Sequence, residues 1–186
     1  MRYLAAIGLL LGMVTICSAD DGTGADLDEK WEKSVKQIPS IIEQYATSIG
    51  CEFHMSKSNV VPYDIGGLHS YVAVFSIDNG CSGGSAMSRP VFVVLQPVAY
   101  DKILVNAAYS APHQTAEEFP GLVTNIFLKD GKLWFKAKAY DLTKDALCCP
   151  SVPVTGQVEY QGGKWVPITN QLPNPAYMDS PRTQES

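Results

Sequence analysis

The sequence predicts an α+β protein: one N-terminal amphipathic helix packed on a curved antiparallel sheet or partly open barrel of about 7–8 strands. Three observations lead there. Apolar residues from Leu27 to Ile49 recur at spacings of three and four, the period of a helix. After Cys51 the period falls to two, and β-branched and aromatic residues take over. Asp130-Gly131 and Gly162-Gly163 each lie between two such runs, where a tight hairpin turn demands residues that tolerate positive φ. Strand and helix patterns do not alternate, which argues against a parallel nucleotide-binding sheet.

In chain order, Met1-Arg2 is followed by an apolar run from Leu4 to Ile16 and by Cys17-Ser18-Ala19. One positive charge, a short apolar core and small residues before a polar start are the requirements of a secretory signal. Residues 1–19 are therefore expected to be cleaved; a lipid anchor at Cys17 is disfavoured by the bulky Thr15-Ile16 before it. Residues 20–26, rich in Gly and Asp, read as a flexible leader. In the helix Leu27, Trp31, Val35, Ile38, Ile42 and Tyr45 share a face, Asp26 or Asp28 can cap its start, and Gly50 is placed to end it. Pro39 removes a donor inside the pattern, so the helix is expected to be kinked or split there.

Strands are expected near 52–56, 70–78, 90–98, 103–109, 122–129, 132–140, 154–160 and 164–168, the last four forming an antiparallel meander. Residues 169–186, with Pro173, Pro175 and Pro181 among polar residues, read as a disordered tail. Residues 27–168 then make one domain, and no other segment is apolar for long enough to cross a bilayer as a helix.

The formal net charge is -5. There is no Lys/Arg cluster and no basic face in this reading, which argues against nucleic acid or an anionic membrane as main partner. No Asn-x-Ser/Thr sequon occurs, and with the short signal this leans towards a bacterial periplasm, or secretion.

Without Cys17, the exported chain holds four cysteines, Cys51, Cys81, Cys148 and Cys149, and an even number in an oxidising compartment implies two disulfides. Joining Cys148 to Cys149 closes a strained ring across one peptide bond. Crossed pairings, with Cys51 and Cys81 each bonded to one member of the pair, are therefore preferred, and the adjacent ring with Cys51 joined to Cys81 stands as the alternative. A metal site is disfavoured because adjacent cysteines lack the C-x₂-C spacing that lets two sulfurs converge. No metal or cofactor is expected.

The run Asp145-Ala-Leu-Cys-Cys-Pro-Ser151, then Val158-Glu-Tyr and Gly162-Gly-Lys-Trp, resembles a module of small bacterial exported proteins and lipoproteins, and Ile126-Phe-Leu-Lys-Asp-Gly-Lys-Leu fits it too. The resemblance covers roughly residues 90–168. It implies an exported, β-rich protein and no catalytic residue, since the role of that family is largely unassigned.

Gly80-Cys81-Ser82-Gly83-Gly84 satisfies the letters G-x-S-x-G, but a nucleophile elbow needs a helix after the serine, and here another strand pattern follows. The same letters resemble the Ser-Gly-Gly around a trypsin-like serine, with His54 or His69 and Asp64 or Asp78 as conceivable partners. The simpler reading is a glycine-rich loop pinned by a disulfide. Glu117-Glu118 are adjacent, so on extended chain their carboxylates point to opposite sides. Two long connections are the expected binding surface: Asn79, Ser82, Met87 and Arg89 on one, His113, Gln114, Glu117 and Glu118 on the other. The function expected is that of a non-catalytic periplasmic protein that binds a protein partner, such as an immunity protein or enzyme inhibitor. A hydrolase using Ser82 or Cys81 and an envelope structural or assembly factor are the alternatives.

Overall fold

A computed structural model describes residues 33, 35–56, 59–83, 88–98, 102–116, 118–141, 143–146 and 149–168. The expected signal, leader and tail, and most of the expected helix before Pro39, lie outside them. The described chain is mostly strand, which corrects the α+β expectation: its one long helix is α1, Ile38–Ile49. Nor do the strands form one curved sheet or an open barrel. They form two separate antiparallel sheets.

Helix α1 starts where Pro39 allows it to, in the first turn, where a missing N–H breaks no intrahelical bond. Ile38, Ile42 and Ala46 repeat every four residues and are buried. Gly50 ends the helix, its N–H donating to the Ala46 carbonyl at 3.1 Å.

The first sheet contains β1 (Cys51–His54), β2 (Val60–Pro62), β3 (Tyr71–Asp78), β4 (Arg89–Val98) and β5 (Lys102–Val105), with both β1 and β2 pairing along one edge of β3. Its centre is β3, whose eight residues are all buried. A strand buried on both faces reads as a continuous apolar run, and Tyr71-Val-Ala-Val-Phe-Ser-Ile is such a run. Tyr71, Ala73, Phe75 and Ile77 share one apolar cluster with Ile38, Ile42 and Ala46. Val72 and Val74 point the other way, into a cluster with Phe92, Val94, Phe135, Val158 and Trp165. That second cluster fills the space between the sheets.

The second sheet is the meander β6 (Leu122–Lys129), β7 (Lys132–Ala139), β8 (Val152–Gln161) and β9 (Lys164–Ile168). Both expected turns are present: Asp130 and Gly131 have φ of 53° and 70°, Gly162 and Gly163 of 58° and 83°. Strand β7 alternates cleanly, with Leu133, Phe135, Ala137 and Ala139 inward and Lys132, Lys136 and Lys138 exposed.

The chain passes between the sheets through residues 106–121, and this connection is the reason for two sheets rather than one. Instead of continuing as strand to Tyr109, it forms 3₁₀ turns at Ala107–Tyr109 and Pro112–Gln114. The buried Ser110 hydroxyl accepts from the Val94 amide, and Thr115 accepts from Phe92, so its side chains satisfy edge groups of β4. Trp165 locks the far side: its indole N–H donates to the Tyr109 carbonyl at 2.8 Å while its ring stacks on Phe92 at 5.3 Å.

Candidate functional site

A cleft of about 480 Å³ opens where the two sheets meet. One wall is the connection between β2 and β3, a tight turn in which Ile65 and Leu68 bridge across Gly66 and Gly67. Their φ values of 60° and 76° suit glycine, which carries no Cβ to clash. The turn presents Tyr63 and Asp64 to the cleft; the opposite wall is Lys132 with Gln157, Glu159 and Tyr160 of β8, and Tyr109 closes the back.

Packing fixes the aromatic groups. Tyr109 and Tyr160 meet edge to face at 4.8 Å, and Tyr160 meets Trp165 in the same way at 5.2 Å. The Tyr160 hydroxyl donates to the Ala108 carbonyl, which also accepts from the Gln114 side chain at 2.8 Å. Burial raises the Tyr63 hydroxyl above its ordinary pKa, and the Glu159 carboxylate adds to the rise; burial, then Tyr109, raises Tyr160. Both hydroxyls stay neutral at physiological pH, able to donate as well as accept. The Glu159 carboxylate accepts from the side-chain amides of Gln157 and Gln161, and Asp64 lies 2.8 Å from Nδ1 of His69. Three tyrosines, the carboxylates of Asp64 and Glu159 and the ammonium of Lys132 thus line the cleft together.

No family model, curated protein or solved structure matches this chain. The site is therefore read from its own chemistry.

The structure separates the sequence-predicted site residues into two regions. Asn79 and Ser82 are exposed beyond the C-terminal end of β3 and Arg89 is exposed at the start of β4, opposite Ile77, while Met87 and Glu117 lie outside the described residues. His113 is exposed on the second 3₁₀ turn, and Gln114 supports the wall of the cleft through Ala108. Glu118 is exposed further along the same connection. The ends of the two long connections do approach each other. Ser88 and Gly121 line a smaller cavity of about 180 Å³ with His54, Tyr140 and Pro150.

Ser82 and the His69–Asp64 pair are not brought together. His69 does pair with Asp64, but just before β3 begins, whereas Ser82 follows its end. Eight strand residues at about 3.3 Å each put roughly 23 Å between those ends. The other acid considered, Asp78, is buried, and its two oxygens accept from the amides of Gly80 at 3.0 Å and Gly83 at 2.7 Å. It shapes the glycine-rich loop.

Cys51 and Cys81 are bonded to each other. Cys149 is also disulfide-bonded. The preferred crossed pairings are thereby corrected. Registry explains why: Cys51 lies opposite Asp78 in the β1–β3 ladder, and the Asp78 clamp turns the chain back so that Cys81 returns to within 5.2 Å, Cα to Cα. A disulfide of this kind fits an oxidising, non-cytoplasmic environment. Among the described residues no helix is long and apolar enough to cross a membrane, and no group of three His, Cys, Asp or Glu is placed to hold a metal ion.

Sequence reasoning missed the cleft. Its tyrosines come from three distant stretches, none of which carries a motif. The nearest signal was Gly66-Gly67 beside Tyr63-Asp64, a turn flanked by polar and aromatic residues.

Proposed function

We propose that this is an exported, non-catalytic binding protein of the periplasm, of the immunity or inhibitor kind, which receives a basic side chain of its protein partner in the tyrosine-walled cleft. The observation that carries the reading is the convergence of Tyr63, Tyr109 and Tyr160 with the carboxylates of Asp64 and Glu159. The mild overall acidity of the chain also suits a basic partner. Turns and packing hold the walls in place before binding, which lowers the entropy cost of docking. The resemblance of the Cys148-Cys149 region to small exported bacterial proteins agrees with the proposed compartment.

The test is capture from periplasmic extract on immobilised protein, compared with a Tyr63→Ala/Glu159→Gln variant whose circular dichroism matches the parent. The expected result is a partner held by the parent and released about tenfold or more readily by the variant, since an aromatic–cation contact and a charge-assisted bond each contribute about 1–3 kcal/mol. Equal retention by both proteins, or no partner under several conditions, overturns the proposal.

A further inference from the structure

The outer face of the second sheet shares Lys132, Gln157 and Glu159 with the rim of the cleft and carries further lysines beyond it. Strand register places Phe127, Trp134, Gln157 and Ile168 in one row across the four strands, and Asn125, Lys136 and Thr155 in the next. Alternation along β6 and β7 adds Lys129, Lys132 and Lys138 to the same face. All four lysines are exposed. The acidic neighbours are Asp130 in the turn and Glu159 on β8, two carboxylates against the four lysines, so the β6–β7 part of the face is positive on a chain that is negative overall.

The two aromatic rings are already capped. Lys129 Nζ lies 5.3 Å from the Trp134 ring centroid and Lys136 Nζ 5.7 Å from that of Phe127. Covered ring faces are poorly placed to stack on a nucleic-acid base or a sugar. Ammonium groups spread over a broad sheet face, about 7 Å apart between alternate residues of a strand, match an extended layer of anions better than one enclosed ligand. The indole N–H of Trp134 and the side-chain oxygen of Asn125 are buried beneath, without a hydrogen-bond partner among the described residues.

We propose that this face docks peripherally on a membrane rich in anionic phospholipid, through Lys129, Lys136 and Lys138, with Trp134 settling at the headgroup level. This replaces the expectation that the chain has no basic face and that an anionic membrane is not its main partner.

The experiment is co-sedimentation of the protein with vesicles of equal parts phosphatidylglycerol and phosphatidylcholine, and with vesicles of phosphatidylcholine alone. The expected result is retention on the anionic vesicles, lost on adding salt, and little on the neutral ones. Lys136→Gln/Lys138→Gln leaves the cleft intact and should lower partitioning by about fivefold for each lysine, roughly twenty-fivefold for the pair. Equal binding to both vesicles, no binding to either, or a double variant that binds like the parent overturns the proposal. Retention on soluble polyglutamate with no retention on vesicles also overturns it, and assigns the face to an acidic protein segment instead.

Discussion

Asp78 shows how much depends on one side chain. It is 1% exposed, and its carboxylate is held by the backbone amides of Gly80 and Gly83. Cys81 and Gly83 adopt positive φ, 51° and 77°, and the clamp offsets part of the cost of that turn. Asp78→Ala leaves two amides without their acceptor and should lower unfolding stability by about 1–3 kcal/mol, read from the denaturant midpoint at unchanged slope. An unchanged midpoint would show that water replaces the carboxylate without loss. From sequence alone Asp78 could be read only as a conceivable catalytic acid, because its real role depends on how the following backbone turns. Ser82 was conspicuous for the opposite reason: its letters match a motif whose meaning lies entirely in geometry.

Among elements, the loop between β7 and β8 carries a pH-sensitive latch. One oxygen of Asp145 accepts from the amides of Asp141 and Ser151, both at 2.8 Å, which closes the segment containing Cys149 and Pro150. The Asp141 amide, then Ser151, holds the Asp145 carboxyl below its ordinary pKa; Thr143, and more weakly Lys144, do the same for Asp141. A depressed carboxylate contributes stability that is present above its unfolded pKa and is lost as pH falls through the folded value. Acidification below the ordinary carboxylate range should therefore lower the protection of the Ser151 amide relative to its intrinsic exchange rate at the same pH, and Asp145→Asn should produce the same opening at neutral pH. Hydrogen exchange followed by mass spectrometry checks both. The elements legible in the sequence were those with local instructions, the two glycine-containing hairpins above all. Strand β2 was missed because Val60-Val61-Pro62 is too short to display a period. The stretch expected as strand to Tyr109 stops at Val105, since Asn106 caps a 3₁₀ turn by accepting from the Ala108 amide.

At the scale of the whole molecule, the two faces of β3 decide the architecture. Alternating apolar residues on both sides of one strand require two covers, and the sequence shows the continuous run without showing what covers it. The lysine face was legible in principle: Lys132, Trp134, Lys136 and Lys138 alternate with Leu133, Phe135, Ala137 and Ala139, but reading charge along the chain instead of by face concealed it. The cleft needs three distant stretches brought together and was beyond such a reading. Its position at the opening end of β3 has a consequence for the disulfide at the other end. Cys51 and Cys81 are 30 residues apart, so their bond restricts the unfolded chain by roughly 3–4 kcal/mol on loop-closure grounds. A Cys51→Ser/Cys81→Ser variant should lose about that much stability and become sensitive to protease around Asn79 to Gly83. Roughly 23 Å of fully buried strand separates that loop from Tyr63 and Asp64, and an exposed loop opens locally at a lower free energy than the packed strand. Partner capture through the cleft should therefore survive removal of the disulfide at temperatures where the variant is folded. Loss of capture from folded variant would mean that the partner contacts the glycine-rich loop itself, which moves the recognition surface from the tyrosine cleft to the disulfide end of the molecule.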